Sequence, residues 1–248
     1  MKANVIVFEI SIFVLSIVFY VGIKRTLGKS RGRALFIGAV LFSLAIETIS
    51  VWGGLKNFYW YATNDYYKHY PLGGYIIWLG IVPLAAALLF YMVSVISYLA
   101  SKYMVRKGNL WARSAVAGAV GLAFYMMIEP VAVTNHWWAW NAQSFYLIDV
   151  PLFAWVAAFL GVFLLTAAYQ LTIVDRADPR PLKNLEDRTI KRWPLKCRQP
   201  STELRWSLLE GVFLFRLLLA LAVFAVVMAP VVALLWAVAN RGHIPPGW

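Results

Sequence analysis

Ile128-Glu129-Pro130-Val131-Ala132-Val133-Thr134-Asn135-His136-Trp137-Trp138-Ala139-Trp140 closes an apolar run that begins near Ala112 and carries one carboxylate in its last turns. About 20 apolar residues in succession are what a helix needs to cross the hydrocarbon core of a bilayer. Outward from this run the pattern recurs, and the spans read as 5–23, 34–52, 75–100, 112–133, 150–174 and 208–239. Composition agrees, because 62% of the 248 residues are hydrophobic and 14% are charged, too apolar for a soluble domain of this size. The expected fold class is an all-α, polytopic membrane protein of about six transmembrane helices, forming one transmembrane domain over residues 1–248. Pro83 falls inside the third span and Pro230 should kink the sixth, which a membrane helix tolerates when neighbours satisfy the freed carbonyl.

The net charge of +12 would point to nucleic acid in a soluble protein, but here its distribution matters more than its sum. Loops one, three and five (between spans one and two, three and four, and five and six) carry five, four and nine Lys or Arg. The opposite side holds Lys2, Lys56, Lys68 and Arg241, and Arg216 is left inside the sixth span. Eighteen against four is a positive-inside bias that places both termini away from the cytoplasm of a plasma-membrane protein. Lys24 and Arg25 come after the first apolar run, the reverse of a cleaved signal, so that run reads as a retained helix. Glu9, in its first turns, reads as a residue solvated among headgroups. The basic cytoplasmic loop 175–207 holds Trp193 and Trp206 and suits anionic headgroups. Its Asp175 and Asp178 are interrupted by arginine and lack the spacing of a diphosphate-metal site. The single Cys197 excludes a disulfide framework and a thiolate pair within one chain.

An internal repeat emerges when the spans are compared. Ile46-Glu47-Thr48-Ile49-Ser50-Val51 and Ile128-Glu129-Pro130-Val131-Ala132-Val133 share Ile-Glu-x-x-x-Val at a displacement of 82. Each is followed by an aromatic cluster: Phe58, Tyr59, Trp60 and Tyr61 in one case, Trp137, Trp138 and Trp140 in the other. Each then reaches a Pro-Leu pair, Pro71-Leu72 and Pro151-Leu152, before the next apolar span. Helices 2–3 and 4–5 therefore read as two copies running in the same direction, with Glu47 and Glu129 at equivalent positions and able to face one cavity.

Ionisable groups inside spans are costly, at roughly 2.5–3.5 kcal/mol for a charge at mid-helix, and they mark functional positions. A carboxyl shut away from water favours its neutral form, and an acid that stays protonated can hand its proton to a substrate. Either glutamate could instead hold helices together. The aromatics lie at a membrane interface, where an aromatic belt is their plain role. A ring face also stabilises a cation by about 0.5–2 kcal/mol, so acid beside indole is a kit for carbocation chemistry. His136 has no partner at metal-ligand spacing and reads as a hydrogen-bonding or proton-relay group. Asp149 can cap the fifth helix or polarise an attacking water. No phosphate loop, nucleophile elbow or zinc spacing is present, and no metal site is expected.

The run Glu129-Pro130-Val131-Ala132-Val133, then Trp138-Ala139-Trp140, then Val150-Pro151-Leu152 and Trp155, resembles the integral-membrane carotenoid biosynthesis proteins, which include carotenoid 1,2-hydratases of bacterioruberin-type pathways. The upstream copy, with Glu47, Tyr70-Pro71-Leu72 and Trp78, is similar, and the likeness covers roughly residues 45 to 165. Asp149-Val150-Pro151 stands where that family tends to have Gly-Val-Pro, and Phe153-Ala154 replaces Asn-Phe. The resemblance implies hydration of the terminal C1–C2 double bond of an acyclic carotenoid end group, without a cofactor. On that reading Glu129 is the acid, and Glu47, with Asp149 and His136 in support, orients water. Trp60, Tyr61, Trp78, Trp137, Trp138, Trp140 and Trp155 would line the site for an apolar isoprenoid or carotenoid. The same kit suits a carotenoid cyclase, where an internal alkene replaces water. A pigment- or lipid-binding subunit is the non-catalytic alternative, docking other membrane subunits through Ala115, Gly118, Ala119 and Leu122. A transporter fits least, because no pair of spans reads as broken helices.

Overall fold

The computed structural model describes residues 3–52, 59–61, 75–80, 82–105, 109–135, 137–140, 145–174 and 202–239. Six helices in it are long and apolar enough to cross a membrane. They are α1 (Ala3–Leu27), α2 (Lys29–Trp52), α3 (Leu84–Met104), α4 (Leu110–Thr134), α5 (Leu152–Tyr169, continued by the π-helical turn Gln170–Val174) and α6 (Thr202–Ala239). The chain is an all-α, multi-pass membrane protein, as its apolar runs require. Helix α3 is the most enclosed, packed against α1, α2 and α4, while α5 lies between α4 and α6.

Several boundaries move from the sequence reading, each for a local reason. Gly28 alone separates α1 from α2, at φ +89°, and its N–H donates to the Lys24 carbonyl. Glycine meets no penalty in that left-handed conformation, so Lys29, Arg31 and Arg33 lie within α2 rather than in a loop. The third span does not begin at 75. Trp78–Leu79 (β2) and Val82–Pro83 (β3) form a hairpin, and Pro83, with extended backbone, is the N-cap of α3. Helix α6 begins at Thr202, six residues before the expected 208.

The repeat is visible in the order of elements. Helix α2 leads to strand β1 (Tyr59–Tyr61), the β2–β3 hairpin and α3; α4 leads to β4 (Trp138–Trp140), a hairpin of β5 (Tyr146–Leu147) and β6 (Val150–Pro151), and α5. Val82-Pro83-Leu84 matches Val150-Pro151-Leu152 at a displacement of 68, and both prolines cap the next helix from the extended region. The backbone bonds correspond as well, Leu84 N–H to Ile77 O at 3.0 Å and Leu152 N–H to Phe145 O at 2.8 Å. The tripeptide equivalent to Val150-Pro151-Leu152 is thus 82–84; the expected Pro71-Leu72 lies outside the described residues. The two copies meet directly, since β1 and β4 pair antiparallel with Tyr59 opposite Trp140, Trp60 opposite Ala139 and Tyr61 opposite Trp138. Antiparallel pairing is what two copies make across a twofold axis.

Helix α1 straps this ribbon to the bundle. Glu9 is 2% exposed, and its two oxygens accept the consecutive backbone N–H groups of Ile76 and Ile77 at 2.7 and 2.9 Å. The expected headgroup role of Glu9 is therefore replaced by a buried tether, because a distant segment supplies the donors its carboxylate needs. On the neighbouring position Phe8 stacks on Trp137 at 3.9 Å, and Asn4 donates to the Asn135 carbonyl at 2.9 Å. Tyr75 donates to the Trp137 carbonyl at 3.1 Å, tying the first copy to the second.

At the other end of the bundle Arg216 is not stranded in its span. Its guanidinium donates to the Leu171 carbonyl and the Thr172 hydroxyl in the π turn that ends α5, where carbonyls carry the negative end of the helix dipole. Gly118 receives Phe159 of α5 and Gly121 receives Val162, so this part of the small-residue face is used inside the chain.

Two measurements follow from these tethers. Glu9→Gln replaces an oxygen acceptor with a donor and leaves one buried amide unpaired, so it should cost about 1–3 kcal/mol in unfolding from detergent; no loss would mean the amides have other partners. In the second hairpin the β-branched Ile148 sits at φ +55°, where its equivalent in the first is Gly80 at φ +67°. Ile148→Asn should relieve that left-handed strain and raise stability by about 1 kcal/mol, and a fall would assign Ile148 a packing role.

Candidate functional site

Glu129 reaches its position through the way α4 ends. Asn109 caps the helix start by accepting the Ala112 N–H at 2.8 Å. Pro130 in the last turns withholds an N–H from the carbonyl of Met126. Beyond Asn135, the Trp137 N–H returns to the Ala132 carbonyl at 2.9 Å and turns the chain back along the helix. Side chains two apart on a strand share a face, so β4 sends both its tryptophans toward the helix it has just left. The Trp138 indole N–H donates to Glu129 Oε2 at 2.8 Å and the Trp140 indole N–H to the same oxygen at 3.2 Å. Glu129 is 8% exposed, and its Oε1 has no hydrogen-bond partner among the described residues.

That carboxyl faces a partly open cavity of about 120 Å³ between α2, α4, α5 and α6, with Phe90 contributed by α3. Glu47 lines the same cavity. The two acids of the repeat thus share one space, as their equivalent positions suggested. The cavity has a polar side and an apolar side. Ser43, Glu47 and Ser50 fall at i, i+4 and i+7 on one face of α2, and Tyr125 and Glu129 at i and i+4 on α4. Facing them are Phe153, Ala154, Ala157 and Ala158 of α5 and Phe224, Met228 and Val232 of α6. The side chains of Ser43, Ser50 and Tyr125 line this cavity together with the two carboxyls.

The other expected site residues fall elsewhere. Trp140 lines the cavity and meets Phe153 edge-on at 5.6 Å. Trp138 is buried behind the carboxylate as a donor, not in the lining. Trp137 is committed to Phe8, and Trp78 donates its indole N–H to the Tyr75 carbonyl at 2.7 Å. Trp155 is buried in the apolar cluster with Phe224 and Met228 but does not line the cavity. Asp149 is exposed at φ +59° in the hairpin turn; Pro151, without a side-chain cap, holds the N-cap position of α5, and Asp149 is absent from the cavity wall. The backbones of Trp60 and Tyr61 are in β1, but their side chains, like His136, lie outside the described residues. Sequence reasoning missed Tyr125, Ser43 and Ser50; their helical spacing from Glu129 and Glu47 was the available signal. Among the described residues no group of three His, Cys, Asp or Glu could hold a metal ion.

No family model, curated protein or solved structure matches this chain.

The geometry assigns different jobs to the two carboxyl oxygens. With both indoles donating to Oε2, a proton on this carboxyl is better placed on Oε1, which neither indole engages. Trp138→Phe should lower stability by about 1–3 kcal/mol, since it leaves a buried carboxyl with one donor fewer. Trp140→Phe, which removes the longer bond, should cost less, and the reverse order in thermal unfolding would contradict this division.

Proposed function

We propose that the chain is a membrane enzyme that adds water across the terminal double bond of an acyclic isoprenoid of the carotenoid class, with Glu129 as the acid. The observation that carries this reading is the Glu129 carboxyl itself, with one oxygen held by two indole N–H groups and the side chain lining a cavity that is apolar on its far side. A volume of about 120 Å³ is near that of a cavity holding one benzene-sized group (~150 Å³), which suits a branched hydrocarbon end group.

The steps balance with groups in the cavity. The proton on Oε1 passes to the less substituted alkene carbon, whose π electrons form the new C–H bond. The charge left on the carboxylate is stabilised at Oε2 by donors already in place, the preorganised form of electrostatic catalysis. The tertiary cation is stabilised by the aromatic rings in the lining, Phe90, Trp140 and Phe153. Water held by Glu47 with the Ser43 and Ser50 hydroxyls attacks the cation and loses a proton to Glu47. The proton then resides on Glu47 and returns to Glu129 by way of the Tyr125 hydroxyl, whose side chain lines the same cavity. The cycle draws on no cofactor. The eighteen-to-four distribution of basic residues supports a plasma-membrane orientation with the aromatic ribbon and cavity toward the non-cytoplasmic face.

Glu129→Gln keeps the shape and the acceptor for the indoles but removes the acid. In vesicles supplied with an acyclic carotenoid bearing isopropylidene ends, it should lower hydration by about 10²–10⁴-fold while unfolding near the wild-type temperature. Full turnover by this variant would exclude Glu129 as the acid.

A further inference from the structure

Three glutamates stand at one height in the bundle. Glu9 lies 15 residues from Lys24 on α1, Glu47 lies 14 from Arg33 on α2, and Glu129 lies 16 from Arg113 on α4. At 1.5 Å per residue these are about 22, 21 and 24 Å, measured from the basic end of each helix, where the charges mark the edge of the hydrocarbon. The core is ~30 Å thick, and any tilt shortens the height a helix reaches. All three helices therefore place their acids inside the opposite leaflet, short of its headgroups. What is bonded to Glu9 shares that depth: the backbone of Ile76 and Ile77, at the root of the β2–β3 hairpin.

The composition of the hairpin suits that depth. Residues 75–83, Tyr-Ile-Ile-Trp-Leu-Gly-Ile-Val-Pro, carry no charge, and Ile76, Ile77 and Leu79 are 53%, 41% and 43% exposed. Val7 and Ile10, either side of the tether on α1, are 62% and 55% exposed, so the apolar surface continues from a membrane span onto the hairpin. Backbone is the difficulty, because hydrocarbon offers an N–H no partner and non-helical chain faces lipid only where protein satisfies it. Here protein does so. Leu84 N–H pairs with the Ile77 carbonyl, Trp78 and Leu79 pair with Pro83 and Val82, and the Trp78 indole donates to the Tyr75 carbonyl. Pro83 brings no N–H. The amides of Ile76 and Ile77 precede the paired residues, and each takes one oxygen of Glu9. Two adjacent donors need two acceptors on one side chain, which a carboxylate has and an amide lacks.

We propose that the β2–β3 hairpin is a re-entrant element whose exposed face, Ile76, Ile77 and Leu79, lies against the acyl chains of the leaflet opposite the basic helix ends, with Glu9 standing in for water at its two open amides. The second repeat shows the same element without that demand. At a displacement of 68, Asp149 stands where the first hairpin has Ile81, and it is exposed in its turn. A charge there belongs with headgroups and water, so the two hairpins meet different surroundings. Neither depends on the reaction at Glu129.

Spin labels test this on the full chain in phosphatidylcholine vesicles. In a Cys197→Ser background, Leu79→Cys, Asp149→Cys and Val18→Cys would each carry one nitroxide; Leu79 and Val18 are exposed, Asp149 lies in an exposed turn, and none lines the cavity. Collisions with dissolved oxygen, which concentrates among acyl chains, are compared with collisions with a water-soluble nickel chelate. The expected oxygen-to-nickel ratio at 79 is close to that at 18, in a membrane span, and several-fold above that at 149. A ratio at 79 equal to that at 149, with nickel reaching both, would overturn the proposal by placing the hairpin in water. Low collision rates with both reagents at 79 would also overturn it, marking the face as a contact with another protein chain. Adding Glu9→Gln should lower the ratio at 79 and leave that at 18 unchanged, because the amide set free draws the hairpin toward water. An unchanged ratio at 79 would overturn the part assigned to Glu9.

Discussion

A carboxylate placed inside an apolar bundle has to find donors, and the two indole N–H groups on Glu129 Oε2 meet that need. Much of the neighbouring architecture keeps them there. The turn after Asn135 reverses the chain, strand β4 puts alternate tryptophans on one side, and β1 of the other repeat pairs with β4 along its length. Helix α1 then fastens the assembly from outside, with Glu9 on the first copy's hairpin and Phe8 against Trp137 of the second. Two buried acids thus differ: Glu9 has both oxygens engaged by backbone, whereas Glu129 has Oε2 held by two indoles and lines the cavity.

Duplication explains why the cavity has a polar wall. Each copy delivers one glutamate near the end of its first helix, and the meeting of β1 with β4 brings those helix ends together. The apolar wall comes from α5 and from α6, a helix outside the repeat. A symmetric pair of acids is in this way placed in an asymmetric setting. Glu129 has its two indoles, and Glu47 has the serines of its own helix face, so one sequence motif used twice can supply an acid and a base.

The six spans were legible because a run of about 20 apolar residues admits few other structures. Glu129, Glu47 and their shared cavity were legible from the repeated Ile-Glu-x-x-x-Val. The hairpins were not, because Tyr75–Pro83 is short and apolar and reads equally well as the first turns of a helix. Missing them hid the Val-Pro-Leu identity at 82–84 and 150–152 and placed Asp149 at a helix cap instead of a turn. Trp-x-Trp could be recognised as a two-pronged donor only once 138–140 was known to be a strand. Glu9 was misread for a different reason: its partners are amides 67 and 68 residues away, and no local pattern announces them.

The central claim is that Glu129 protonates a terminal alkene and that water completes the addition. Running the wild-type reaction on an acyclic carotenoid in deuterated, oxygen-labelled water tests it most directly. The account predicts one deuterium on the carbon beside a new tertiary alcohol, with the alcohol oxygen drawn from the labelled water. An isomer of unchanged composition apart from exchanged hydrogen would mean that an internal alkene captures the cation, and an unaltered carotenoid would mean that this cavity binds without reacting; either result contradicts the account.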